Sequence, residues 1–334
     1  MYILPVKYPP ITSFTKHANI LSIISTNDNY LDWFLSNYIQ LWYRHDMKIM
    51  DFYMPALKDN CPLLYTQRIN RDFVNTSINK DTVEFFIDSI KTGYYISVVL
   101  DEYYIPPSRS YNKRHHPHET LIYGFDTEKE TFNVADFYMN RKYQYETISF
   151  NELRNSYSAV TDSMDYLGAI YFHKIGNSNN YTFNINLVHV MTRHYLKGEN
   201  SSKFFSKYET AKTNGWEFGY NIYPYIFEHI KLLENNEKAN VRMLHVLQDH
   251  KKCMEMRIKF LLEKSYIKNH AYDFINLSSN LTRKALILRN LGIKNNIKCS
   301  KKIIQEMKET LKDIQLMEKE LLINLSTEID KVIQ

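Results

Sequence analysis

The chain has 334 residues, 44% of them hydrophobic, and its 42 basic and 37 acidic side chains leave a formal net charge of +5. This length can bury more than one core, whereas so even a charge balance lacks the clustered positive footprint of a nucleic-acid binder. With only 8 glycines and neither GxGxxG nor GKT/GKS, a glycine-rich phosphate cradle is not expected.

Cys61, Cys253 and Cys299 are an odd number at wide separations. They offer neither a disulfide framework nor zinc spacing and suit a reducing compartment. The start, MYILPVKYPPITSF, has no basic segment followed by an apolar one, and no run reaches about 18 apolar residues. A cytoplasmic protein that does not span a membrane is expected.

In chain order, residues 18–25 (ANILSIIS) and 30–43 (YLDWFLSNYIQLWY) space apolar residues three and four apart, the helical period. Residues 47–54 read as a strand. KDTVEFFIDSIKTG reads as a helix closed by Gly93, followed by a buried strand rich in β-branched and aromatic residues, YYISVVLDEYY. A proline-bearing loop leads to HETLIYGFD and ETFNVADFY, two strand-forming runs joined by the polar turn DTEKE, the pattern of an antiparallel hairpin. KYQYETIS adds a third strand, FNELRNSYSAV a helix, and DYLGAIYFHKI a returning strand.

After about Gly176 the polar stretch NSNNYTF marks a boundary, and the rest is mostly helical. The expected division is therefore 1–176, an α+β domain with an antiparallel sheet, and 177–334, an all-α helical bundle. The last helix aligns Ile304, Met307, Leu311, Ile314, Leu321, Leu325 and Val332 on roughly one stripe. A bundle helix is the simpler reading, and a dimerising coiled coil is the alternative.

The candidate chemistry lies in the hairpin. His118 opens one strand and Asp136 lies near the end of its partner, so the carboxylate can accept the imidazole Nδ1 hydrogen and fix the tautomer. Such a pair is the base and orienter of nucleophilic acyl transfer. The alternative reading is two ordinary polar residues at strand ends. The histidines of HHPH also raise a metal reading, but no cysteine or carboxylate stands at a recognised ligand spacing. Neither metal nor cofactor is expected.

Residues 93–137 carry a resemblance: the aromatic strand ending in Asp101, the proline loop, the histidine before LIYGFD, and FNVAD. The run is similar to the butirosin biosynthesis protein H amino-terminal-domain family, relatives of the C39-type papain-like cysteine peptidases. The helical RMLHVLQDHKKCMEMRIKFL also resembles the later part of longer members.

The resemblance implies a papain-like (C39-like) fold accompanying nonribosomal-peptide and polyketide pathways. It implies transfer of an acyl group from a carrier-protein thioester to a small-molecule amine, with His118 as general base, Asp136 as orienter, and a cysteine at the start of the first helix. That helix start instead reads SFTKHANILSII, which leaves His17 and Ala18 in the nucleophile region. Three alternatives stay open: a silent relative that binds a carrier protein or pathway product; Ser13, Thr15 or Cys61 as nucleophile, or His17 and His118 as acid and base; or a cysteine replaced by Ala18. The cluster in DHKKCMEMR could meet an acidic carrier protein or be a solvated helix face.

Overall fold

The computed structural model describes residues 1–78, 80–139, 141–176, 181–207, 214–268 and 273–333. Residues 177–180 of the expected linker and the first two residues of a helix expected over 271–293 lie outside the described residues.

The first elements are β1 (Tyr2–Ile3), α1 (Thr15–Ile24), α2 (Tyr30–Asn37), β2 (Leu41–Arg44), β3 (Ile49–Phe52), α3 (Leu57–Asn60), β4 (Leu64–Ile69), α4 (Arg71–Ser77) and α5 (Thr82–Lys91). Then come β5 (Tyr95–Asp101), β6 (Pro117–Asp126), β7 (Thr131–Phe137), β8 (Tyr143–Ser149), α6 (Phe150–Ser158) and β9 (Ile170–Ile175). The remainder is α7 (Ile185–Lys197), β10 (Trp216–Phe218), α8 (Tyr223–Leu232), α9 (Val241–Glu263), α10 (Phe274–Ile297) and α11 (Lys301–Ile333). The chain forms two compact units, Met1–Tyr30 with Leu57–Tyr181, and Leu31–Ala56 with Thr182–Gln334. The expected continuous division at 176/177 differs from these units chiefly in Leu31–Ala56, which joins the C-terminal residues. None of the helices is long and apolar enough to cross a membrane, among the described residues.

In the first unit, strands run β4-β9-β5-β6-β7-β8, with β1 also paired to β6. Every pairing is antiparallel. β5 pairs with β6 as far as Ile96↔Ile122, and β1 takes up the next stretch at Ile3↔Gly124. Gly124 is required there: a Cβ would lie 2.9 Å from the Tyr2 carbonyl oxygen and 3.1 Å from Ile3 Cα. A register shift between Ile122 and Gly124 marks a bulge at the same place.

Alternation along the strands builds two faces. On one, Ile96, Val98, Ile122, Phe132 and Val134 are buried, and Phe132 meets Phe150 of α6 while Phe172 meets Phe85 of α5. α5 begins at Asp81, whose carboxylate accepts from Val83 N, and ends before Gly93 at φ +90°. It buries Val83, Phe86 and Ile90 at the helical spacing, each worth about 1.5–3 kcal/mol. α6 begins with a reciprocal capping box between Ser149 and Glu152. On the opposite face, Asn19 of α1 and Lys58 of α3 reach Glu119 of β6.

The second unit is helical in its C-terminal part, as expected, but it is not all-α. β10, β2 and β3 form an antiparallel sheet in that order. The helix expected over 30–43 therefore ends early, at Asn37, and residues Leu41–Arg44 are a strand. The apolar spacing of this stretch suits either structure, and pairing with Trp216–Phe218 decides it: Trp42 stacks on Trp216 with ring centroids 4.3 Å apart. Arg257 of α9, fully buried, donates to the carbonyls of Leu35 (2.7 Å) and Tyr38 (2.8 Å), satisfying acceptors that the end of α2 leaves open. α11 buries Ile304, Met307, Leu311, Ile314, Leu321 and Leu325, while Val332 of the expected stripe is exposed.

Candidate functional site

The expected imidazole–carboxylate contact is present. His118 Nδ1 lies 2.8 Å from Asp136 Oδ2. Asp136 is fully buried, and 22% of the His118 side chain is exposed. The two are not directly opposite: Leu121 pairs with Ala135, so the next step sets Thr120 across from Asp136, and His118 reaches the carboxylate along the diagonal. Thr120 Oγ1 donates to the same Oδ2 at 3.3 Å, and Phe137 N donates to Oδ1 at 2.6 Å. Three donors thus hold the carboxylate in place.

Burial works against a charged His118, but the charge and hydrogen bond of Asp136, helped by Glu102 and Glu119, outweigh it and push its pKa up to about 9. Burial also raises Asp136 above its ordinary value, against the pull of His118 and the hydrogen bonds. Both shifts point the same way: the pair holds its shared proton more firmly. A raised pKa favours the ring as a hydrogen-bond donor to Asp136.

The segment before His118 adds two further pairs. His115 Nδ1 lies 2.5 Å from Asp101 Oδ2, and His116 Nδ1 lies 2.8 Å from Glu102 Oε2. Glu102 N donates to the His116 carbonyl, and Ser110 Oγ donates to Glu102 Oε2 at 3.1 Å. The His116 and His118 rings are nearly parallel with centroids 5.7 Å apart. One ligand atom each from Glu102, His118 and Asp136 lies within 4.8 Å of the others. No carboxylate stands at a ligand spacing in the sequence, but strand pairing brings Asp101 and Glu102 beside HHPH. The signal in the sequence was the DE pair closing the buried strand, which must face whatever strand lies next to it.

His17 and Ala18 lie in the first turns of α1 and are fully buried. Asn19 donates to Glu119 Oε1 at 3.2 Å and accepts from Tyr143 Oη at 2.8 Å, while Ser22 Oγ and Tyr145 Oη are 3.0 Å apart. Since residues 143 and 145 advance along β8, the start of α1 lies toward the sheet end that carries His118. The link nevertheless runs through Glu119, whose side chain alternates to the strand face opposite His118. Among the alternative nucleophiles, Ser13 Oγ is buried without a hydrogen-bond partner. Cys61 is buried, and its thiol is pushed up to about 12 by that burial, so it is inert at neutral pH. Cys253 lies inside α9, where burial raises its thiol still further. Of the DHKKCMEMR cluster, Asp249, His250, Lys251 and Arg257 are buried and so are not a docking surface.

No protein-family model matches this chain, and no curated protein matches it either.

Proposed function

We propose that the first unit is a papain-like (C39-like) relative that retains the base and orienter of an acyl-transfer site but has lost its thiol. Its role is to bind an acyl group delivered by a carrier protein on a phosphopantetheine arm, or the product of such a pathway, without forming a covalent acyl-enzyme. The observation that supports this most is the His118–Asp136 contact in a unit whose only cysteine is a buried, inert thiol.

The test is to offer the protein an acyl-loaded carrier protein with and without an amine acceptor. Retention of the loaded carrier without amide formation, weakened by His118→Ala, is the expected outcome. Amide formation lost in His118→Ala would replace this reading with catalysis. No retention and no turnover would remove both.

A second reading is acyl transfer from the thioester to an amine through a hydroxyl. Its candidate nucleophile is Ser13, just before α1, whose buried Oγ makes no hydrogen bond to His118 in this structure. That reading requires Ser13→Ala and His118→Ala each to abolish product.

A further inference from the structure

We propose that Glu102, His118 and Asp136 form a binding site for one first-row divalent cation, with Mn2+ and Zn2+ as the fitting ions. The inference shares two residues with the proposed function but does not rest on acyl binding.

The three residues come from three adjacent strands or their ends. Glu102 follows β5, His118 opens β6 and Asp136 closes β7, and β5-β6-β7 are neighbours in the sheet. Leu100 pairs with His118, so Glu102, two residues after Leu100, shares the His118 face. Asp136 is on that face as well, since it meets both His118 and Thr120. Their ligand atoms lie within 4.8 Å of one another. Ligands about 2.1 Å from a common ion are at most about 4.2 Å apart, so the group closes on an ion by contracting about half an ångström.

The donor set is chemically coherent. Two carboxylates offset the charge of a divalent ion, and an imidazole with carboxylates suits Mn2+ or Zn2+ rather than a soft, thiolate-seeking metal. Three protein ligands leave a position for water or substrate. The surroundings match what a metal centre needs around it: Ser110 donates to Glu102, and Thr120 and the Phe137 amide donate to Asp136.

An independent observation points into the same place. Tyr138 is 1% exposed, yet its hydroxyl has no hydrogen-bond partner. It comes two residues after Asp136, just past the end of β7. A water or hydroxide held on an ion at this site would give that hydroxyl the partner it lacks.

The experiment uses the full chain, freed of metal by a chelator and exchanged into metal-free buffer. Mn2+ is added, and the electron paramagnetic resonance signal of free aquated Mn2+ is followed. One Mn2+ bound per chain and displaced by Zn2+ is expected, with Glu102→Gln and Asp136→Asn each weakening affinity at least tenfold. Tyr138→Phe, which keeps the ring and removes only the hydroxyl, is expected to weaken it about threefold. Electron spin echo modulation on the wild-type complex should show coupling to an imidazole nitrogen, a readout that needs no variant to fold. Absence of saturable binding, absence of nitrogen coupling, or affinity unchanged in folded Glu102→Gln would overturn the site. Because no acyl group is present, such a failure leaves the proposed function standing, and failure of acyl binding leaves the cation site standing.

Discussion

In the second unit, Lys251 pairs with Glu318, and neither side chain has exposed surface. Tyr195 and Tyr223 donate to the second oxygen of that carboxylate at 3.1 and 2.5 Å, and His250 packs beside the lysine while bonding the Ile39 carbonyl at 2.8 Å. In the first unit, Asp136 is just as buried, but its partner His118 keeps part of its ring in the open, and a second carboxylate, Glu102, stands nearby. One cluster is closed on itself, joining α7, α8, α9 and α11. In the other, part of the imidazole stays exposed to solvent. Burial of the carboxylate is common to both clusters; exposure of its partner separates them.

The largest effect expected from this contrast is in the closed cluster. Glu318→Ala leaves Lys251 buried without a counter-charge and should cost about 3–5 kcal/mol. The double change Lys251→Met with Glu318→Leu should recover most of that loss, because replacing both partners removes the uncompensated charge. Urea unfolding of the three proteins checks it. A double variant as unstable as the single would mean that the network does more than neutralise one charge.

The open cluster should show its coupling in titration. Asp136→Asn removes the charge that outweighs burial, so the His118 pKa should fall from about 9 to its ordinary value or below, a change of about 3 kcal/mol in the interaction. Nitrogen-15 NMR of the imidazole reads this directly. Were His118 in the unaltered protein to titrate near 6.5, the Asp136 contact would not be the dominant influence on it.

The same shifts set opposite limbs of stability against pH. His118 has a raised pKa, so its contribution is fully present below about 6.5, the unfolded value, and is lost as pH rises through about 9. His173, lowered to about 3 by burial and then by Lys58, acts in reverse: its contribution is present above about 6.5 and is lost as pH falls toward 3. His250, held well below its ordinary value by burial and then by Lys251, adds to the acid limb. His118→Gln should flatten the alkaline limb and leave the acid limb in place, as measured by unfolding free energy at several pH values.

The smallest effect belongs to Thr120→Val. Loss of its 3.3 Å bond to Asp136 should cost about 1 kcal/mol and shift His118 slightly, sharpening how much of the pair's firmness comes from its neighbours.

The hairpin, the helix ended by Gly93 and the His118–Asp136 pair were legible in the residues because each depends on local pattern: period-two alternation, a left-handed glycine, and two polar residues at matching ends of a short connection. The amino acid sequence by itself also determined that α1 starts without a thiol, whatever surrounds it. What only the tertiary structure decided depends on partners distant in the chain. Residues 41–44 are a strand because Trp216–Phe218 pair with them, and Leu31–Ala56 join the C-terminal residues for the same reason. Glu102 reaches His116 and the His118–Asp136 pair only because β5 and β7 flank β6, and the basic cluster at 249–257 turned inward because Glu318 and the open carbonyls of α2 were there to receive it. Local propensity shapes single elements, whereas the pairing of distant ones decides which polar groups find partners.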